Sequence, residues 1–314
     1  MHKSKAAGRV EGATIIGIGL MLAAIANFTG LNGAVKWLTQ THDPLQVAWA
    51  RNVGALAFML VVFFPQHGMK LLRPQMPSAQ IARGIYLLGS TILYFMGLSH
   101  LDLATGAAIQ FTGPLMVTAL SAPLLAERVG WRRWLAVVIG FAGALIIIRP
   151  GADMQWAALF FVASALCSTF YQITTRHLSS YDTPATAATI AAIVGVVALT
   201  PVAPFVWTDP DGWLSIALFI GLGVFAGFGH FLLTSSYRYA QASTLAPFAY
   251  THLLGATIMG FLLFGNFPDK WTWVGAAVII SAGLYVAHRE RKQAKLAIGA
   301  RHAEKSISDH RESQ

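Results

Sequence analysis

The stretch LATGAAIQFTGPLMVTALSAPLLAERVGWRRWLAVVIGFAGALIIIRPG, residues 103–151, decides the fold that the rest of the chain follows. Residues 103–126 contain no Asp, Glu, Lys or Arg. At about 1.5 Å of rise per residue, a helix of that length exceeds a hydrocarbon core of about 30 Å. A basic turn (127–133) and a second apolar run (134–148) follow, and Arg149-Pro150-Gly151 ends the run. The stretch therefore predicts two membrane-spanning helices.

The composition of the whole chain is that of a membrane protein. Of 314 residues, 55% are hydrophobic and 11% are charged, and the mean hydropathy is +0.58. These values leave no room for a sizeable soluble domain. One cysteine, Cys167, excludes an internal disulfide framework and a thiolate metal cluster. The first apolar run is longer than a signal-peptide core, so we expect it to remain as a span.

Apolar runs along the chain predict an all-α membrane protein with ten transmembrane helices. The connection between the third and fourth runs is very short, and the fifth run is short for a span. The predicted spans are residues 12–35, 44–64, 84–101, 103–126, 134–148, 154–175, 183–208, 212–237, 242–265 and 271–287.

The basic residues predict which ends of the spans face the cytoplasm. When the connections are assigned alternately to two sides, 18 of the 22 Lys and Arg residues fall on the side that holds both termini. Cytoplasmic connections carry the excess of Lys and Arg, so both termini are predicted to be cytoplasmic. This sidedness also accounts for the net charge of +9 without nucleic-acid binding.

The two halves of the chain resemble each other. Asn32, Lys36 and Leu38 recur as Gln172, Arg176 and Leu178, 140 residues later. Repeats of five spans must enter the membrane from opposite sides, which predicts two inverted five-helix repeats. The predicted division is a cytoplasmic N-terminal segment (1–11), a first repeat (12–151), a second repeat (152–288) and a basic cytoplasmic tail (289–314) that rests on anionic lipid.

Several short motifs recur in a characteristic order. They are AWAR (48–51), AT (104–105), LLAE (124–127), GFAG (140–143), RPG (149–151), YRYAQAS (237–243) and LLFG (262–265). With these motifs, the chain resembles ten-span EamA-type members of the drug/metabolite transporter superfamily over residues 12–288. The resemblance implies an inverted-repeat carrier with spans 1–4 and 6–9 around a central cavity and spans 5 and 10 peripheral. Many members carry an acidic residue where Asn266 stands in this chain.

The carboxylates are placed in a way that bears on the substrate. All 13 Asp and Glu residues fall in predicted connections, span ends or tails. A proton-driven cation exporter usually needs a membrane-buried acid, so the sequence favours a neutral, zwitterionic or anionic metabolite, such as an amino acid, nucleobase or vitamin. Protons remain a candidate coupling ion, and a facilitator without coupling is the alternative. Export of a drug or metabolite is an alternative to uptake.

Polar and aromatic residues inside the spans are the candidate substrate-binding residues, because such groups are costly in lipid unless they face inward. Histidines can relay protons near neutral pH, amides can donate and accept hydrogen bonds, and tyrosines can stack on a planar substrate. The same residues can also hold helices together. Arg51 either snorkels to the interface or faces the cavity. The candidates are Asn27, Asn32, Arg51, Tyr94, Gln110, Tyr171, Gln172, His230, Tyr250 and His252.

Other classes of protein are less well supported by the sequence. It contains no phosphate-binding lysine loop, metalloprotease helix or catalytic triad motif, so we predict that it is not an enzyme and uses no cofactor or metal. A channel would need a filter-like loop or a ring of charge. A non-transporting receptor or scaffold is the remaining alternative. The expected partners are a small molecule and membrane lipid, in a monomer or homodimer in the bacterial inner membrane.

Overall fold

The computed structural model describes residues 2–125, 130–150, 155–178, 181–240, 245 and 248–289, and the regular structure in them is helical. Two 3₁₀ turns, Gly68–Leu72 and Ala203–Phe205, lie between helices. The α-helices are α1 (His2–Leu38), α2 (Pro44–His67), α3 (Pro77–His100), α4 (Leu103–Gln110), α5 (Gly113–Leu125), α6 (Trp131–Ile148), α7 (Ala158–Leu178), α8 (Pro184–Leu199), α9 (Gly212–Tyr239), α10 (Thr251–Phe264) and α11 (Lys270–Arg289).

The helices are those of a multi-pass membrane protein. Within the described residues, eight segments are long and apolar enough to cross a membrane, and α4 and α5 together supply one of them. Helices α8 and α10 are apolar but shorter, with 16 and 14 residues. Large apolar side chains such as Val61, Ile220 and Leu262 are mostly exposed, as expected of a surface that faces lipid. The prediction of an all-helical, multi-pass membrane protein is confirmed.

Two predicted spans differ from the helices because of prolines. The fourth, 103–126, is broken at Phe111 and Thr112, because Pro114 has no N–H to donate to the Gln110 carbonyl. In the seventh predicted span, 183–208, the helix ends at Leu199, two residues before Pro201. Part of the ninth predicted span, 242–265, falls outside the described residues. Within them, α10 begins at Thr251.

Helix packing places the elements of the two halves against one another. Helix α1 packs on α9 and α10, and α3 packs on α7 and α8. Helix α2 lies between α8 and α9, while α4 contacts α7 and α10. Helix α6 meets α11 through Gly143 and Gly275, beside Ile147 and Ile279. The interior of the bundle is thus built from α1–α4 and α7–α10, with α6 and α11 paired.

Small residues allow the closest helix contacts. A Cβ placed on Gly54 of α2 would lie 2.7 Å from the Cα of Gly223 in α9, so these two backbones touch. A Cβ on Gly84 of α3 would lie 2.9 Å from Val194 of α8. Close backbone approach of this kind is how helices associate in lipid, where the hydrophobic effect does not drive them together.

Candidate functional site

A cavity of about 390 Å³ lies between α2, α3, α7, α8 and α9. It extends from Arg51 in α2 to Asp182, in the connection after α7, and to Pro184, the exposed first residue of α8. Its size is within the range of small-molecule sites, about 300–1,000 Å³. The polar residues that line it are Arg51, Asn52, Gln80, Arg83, Tyr171, Thr175, Asp182 and His230. Three predicted site residues, Arg51, Tyr171 and His230, therefore share one cavity.

Arg83 is a buried side chain that neighbouring groups hold in place. Its Nε donates to Thr175 Oγ1 at 2.6 Å, Nη1 to the Ala187 carbonyl at 2.9 Å and Nη2 to the Tyr171 hydroxyl at 2.8 Å. The guanidinium carbon also lies 4.6 Å from the centre of the Tyr171 ring, a cation–π distance. Arg83 joins α3 to α7 and α8 and fixes Tyr171 in the cavity wall.

Arg51 has a different environment from Arg83. It is 9% exposed, and its hydrogen bond within the described residues is a long one, 3.5 Å from Nη1 to Thr91 Oγ1. A guanidinium has five N–H donors, so most of those on Arg51 remain available to a ligand. Of the two alternatives for Arg51, the structure places it in the cavity wall.

His230 and Asn27 both lie where α1 packs on α9. The His230 ring lies edge-on to Phe28 with centroids 5.2 Å apart, and His230 lines the cavity. Asn27 lies against Gly229, the residue before His230. Its Oδ1 is buried and accepts no hydrogen bond in the described part of the chain. A buried amide oxygen of this kind is costly unless a ligand or water donates to it.

A second polar cluster joins α1, α3 and α10. Asn32 Nδ2 lies 3.3 Å from His252 Nε2 and 3.5 Å from the Tyr94 hydroxyl. The structure thus brings together three predicted site residues that are far apart in the sequence. Tyr94 lies on the same face of α3 as Thr91, which contacts Arg51, so the helix carries polar groups from the cavity to this cluster.

The other predicted site residues lie elsewhere. Gln110 donates to Ser164 Oγ at 3.1 Å, next to the bond between Ser164 and Ser90. The Tyr250 ring packs on Phe111 with centroids 4.8 Å apart. Gln172 is exposed, and its Nε2 donates to Ser168 Oγ at 3.4 Å. None of Gln110, Gln172 and Tyr250 is among the residues that line the cavity.

Gln80, Arg83 and Asp182 line the cavity but are not among the predicted site residues. The predicted third span begins at residue 84 and leaves Arg83 among the cytoplasmic charges, but α3 starts at Pro77 and buries both Gln80 and Arg83. Asp182 accepts from the Gln80 side chain at 2.8 Å and from the Gln75 amide at 2.9 Å. The spacing of Gln80, Arg83 and Leu87 on one helix face was the available signal.

Comparisons with known proteins agree with this architecture. The chain is 28% identical to the S-adenosylmethionine uptake transporter of Rickettsia felis, over 88% of this chain and 94% of that protein. It is 29% identical to the riboflavin transporter of Rhizobium johnstonii, over 93% and 97%. It is 33% identical to the riboflavin transporter of Vibrio cholerae, over 60% and 64%.

A solved structure described only as the crystal structure of a protein has the same fold, with a TM-score of 0.58 and 18% identity over 89% of this chain and 98% of that chain. The model of the EamA-like transporter family matches residues 13–149 and again residues 155–287. The chain therefore belongs to the EamA-like transporter family and is a membrane transporter, not an enzyme.

Proposed function

We propose that this transporter carries a small organic metabolite across the bacterial inner membrane by alternating access, with the substrate bound in the cavity that Arg51, Tyr171 and His230 line. The observation that carries the proposal is Arg51, a buried cation most of whose donors have no partner among the described residues. In the described part of the chain no carboxylate pairs with this guanidinium, which favours a substrate that presents a carboxylate or another strong acceptor. Tyr171, held by Arg83, offers a flat aromatic surface beside it.

The substrate class follows from these groups and from the relatives. S-adenosylmethionine has an amino-acid carboxylate and a purine, and riboflavin has a flat ring system with several acceptors. One cationic group and one aromatic surface suit both kinds of molecule. From the groups in the cavity we infer a neutral, zwitterionic or anionic metabolite with a planar or amino-acid part. S-adenosylmethionine, whose sulfonium gives it a net positive charge, matches the amino-acid and planar parts of this description but not its charge. The residues proposed to contact it are Arg51, Tyr171 and His230, with Asn27, Asn32, Tyr94 and His252 farther along the path.

Two pairs of contacts support the division into inverted repeats, residues 12–151 and 152–288. Gly54 touches Gly223, and their counterparts after a shift of about 140 residues, Val194 and Gly84, touch as well. Asn27 meets Gly229, and the shift of 140 leads to Cys167 and Gly89, which are also in contact.

In the same way, the pairing of α1 with α9 corresponds to that of α7 with α3. A two-fold axis in the membrane plane relates such contacts, as in carriers whose two repeats rock against each other. On this reading, α8 and α10 are the two short spans that complete a set of ten.

The shape of the cavity supports an inward-facing state. Its exposed rim, at Asp182 and Pro184, lies at the end of α7 and the start of α8, the side where the basic residues place the cytoplasm. At the other end of the bundle, Lys36 Nζ donates to the Leu98 and Leu101 carbonyls at 2.6 and 2.9 Å. Gln46 joins α2 to the segment before α9 at that end. Both termini are then cytoplasmic, and the outer side is closed.

Few titratable groups of the cavity could carry a coupling proton. Among the described residues that line the cavity, Asp182 is the one carboxylate, and it lies at the rim. His230 and His252 are therefore the candidate proton carriers, and a facilitator that uses no proton is the alternative. Since one chain holds both repeats, we propose that a monomer suffices for transport and that a homodimer is not required.

The test is counterflow in proteoliposomes loaded with amino acids, nucleobases, riboflavin or S-adenosylmethionine. Ala55 lines the cavity, whereas Ala57, two residues along the same helix, lies in a lipid-facing groove. We expect saturable exchange of one class of compound, its loss in Ala55→Trp and its retention in Ala57→Trp. Equal exchange in both variants would place the substrate elsewhere. A thermal shift with a compound that is never exchanged would support the receptor alternative.

A further inference from the structure

Three arginines line a small cavity at the start of α6 and the end of α11. None of its lining residues belongs to the candidate substrate cavity. This arginine cavity has a volume of about 160 Å³ and is lined by Gly130, Trp131, Arg132, Arg133 and Arg289. None of these lining residues is acidic. Like charges this close repel each other, so the empty arrangement favours the uptake of an anion.

Within the residues that the structure describes, no carboxylate forms an ion pair with these arginines. The Arg132 guanidinium lies 5.4 Å from the centre of the Trp131 ring, which orients it. The Nε atom of Arg133 is buried and has no hydrogen-bond partner in the described part of the chain. Because guanidinium groups bind phosphate oxygens with paired charge-assisted hydrogen bonds, the cavity suits a phosphate group.

An apolar groove continues from the arginine cavity along the pair α6 and α11. It has a volume of about 410 Å³ and shares Trp131 and Arg132 with the cavity. The rest of its wall comes from Leu135, Ala136, Ile139, Ser281, Ala282 and Tyr285. Leu135 and Ile139 are 50% and 46% exposed, on a surface that faces lipid. The groove therefore matches a hydrocarbon chain rather than a soluble anion.

We propose that this place binds an anionic phospholipid, with the phosphate in the arginine cavity and one acyl chain in the groove. The cationic cavity and the apolar groove are continuous, which is the arrangement that a phospholipid presents from headgroup to tail. The basic residues place this end of α6 and α11 at the cytoplasmic leaflet, where anionic lipids attract Lys and Arg side chains. The proposal does not depend on the identity of the transported substrate.

The test is native mass spectrometry of the purified full chain with phosphatidylglycerol, phosphatidylcholine of the same acyl chains, or inorganic phosphate. We expect one preferred phosphatidylglycerol site, with affinity about fivefold lower for each arginine removed in Arg132→Gln and Arg133→Gln. Arg73 is exposed and belongs to neither cavity, so Arg73→Gln is the matched control and should bind normally. Ile139→Trp, which fills the groove, should also weaken lipid binding without a change of charge.

Three results would overturn the proposal. Equal loss in Arg73→Gln would mean diffuse attraction to the basic face. Equal affinity for phosphatidylcholine would mean that the arginines do not select the headgroup. Competition by inorganic phosphate, with normal binding in Ile139→Trp, would mean a phosphate site that makes no use of the groove. Thermal unfolding in phosphatidylcholine checks that each variant is folded.

Discussion

Gln46 and Thr208 exchange two hydrogen bonds across one end of the helix bundle. The Gln46 Nε2 donates to the Thr208 carbonyl at 2.7 Å, and the Thr208 amide donates to Gln46 Oε1 at 3.0 Å. Gln46 is fully buried, at the start of α2, and Thr208 precedes α9. In the inward-facing state that we propose, this pair closes the outer side and must separate when the carrier turns outward.

Replacement of Gln46 should therefore shift the carrier toward its outward-facing state. Gln46→Leu removes both hydrogen bonds between α2 and Thr208, each with a net contribution of about 0.5–1.5 kcal/mol. In a Cys167→Ser background, a cysteine at Ala55 in the cavity reports access. We expect an impermeant thiol reagent added outside to label Ala55→Cys at least about tenfold faster when Gln46→Leu is present.

Gln40 gives the matched control for that experiment. It is exposed in the connection between α1 and α2, near Gln46 in sequence. Gln40→Leu should leave the labelling rate unchanged. Equal rates in the two variants would show that the bonds between Gln46 and Thr208 do not hold the outer side closed.

The two buried arginines of the cavity should respond in opposite ways to the same substitution. Among the described residues Arg51 makes one long hydrogen bond, so Arg51→Met removes an unpaired buried charge and should not lower the melting temperature. It should raise KM by about tenfold or more, because a charge-assisted contact with substrate is lost. Counterflow at graded substrate concentrations measures the change, and an unaltered KM would remove Arg51 from the site.

Arg83→Met should mainly destabilise the protein. Three hydrogen bonds to α7 and α8 are lost, each with a net contribution of about 0.5–1.5 kcal/mol. Thermal unfolding of the purified protein should show a lower melting temperature than for wild type or Arg51→Met. Equal stability of the two variants would contradict the structural role that the contacts of Arg83 indicate.

The sequence predicted the helical membrane fold well. A long uncharged run in lipid must satisfy its own backbone hydrogen bonds, and a helix does so within one segment. The sequence also selected Arg51, Tyr171 and His230, which line one cavity, because polar side chains stand out within apolar runs; their contact with substrate stays a prediction. Arg83 was missed because a charge beside a span is expected in a connection. Gln172 was selected by the same rule that selected Tyr171, yet it is exposed outside the cavity. The rotation of a helix about its axis depends on its neighbours, and a lone polar residue does not reveal it.

The contact between Gly54 and Gly223 predicts a strong dependence on side-chain size. Gly54→Ala would bring a Cβ against the backbone of α9, and overpacking of this kind costs about 1–3 kcal/mol. Gly19, an exposed glycine of α1 with open space around it, is the control. Gly19→Ala should be neutral or stabilise by about 0.5–1 kcal/mol. Thermal unfolding compares the two, and tolerance of Gly54→Ala would mean that the two backbones are farther apart.

Asp269 has two separable roles at the pairing of α6 with α11. Its Oδ1 accepts from the Thr272 amide at 2.8 Å, as a helix cap, and its Oδ2 forms an ion pair with Arg149. Asn can cap a helix but cannot form the ion pair. Since both side chains are partly exposed, Asp269→Asn should cost at most about 1 kcal/mol. Asp269→Ala should cost about 0.5–2 kcal/mol more, because the cap is lost as well. Chemical denaturation in detergent separates these effects, and equal losses in the two variants would assign the contribution of Asp269 to the ion pair.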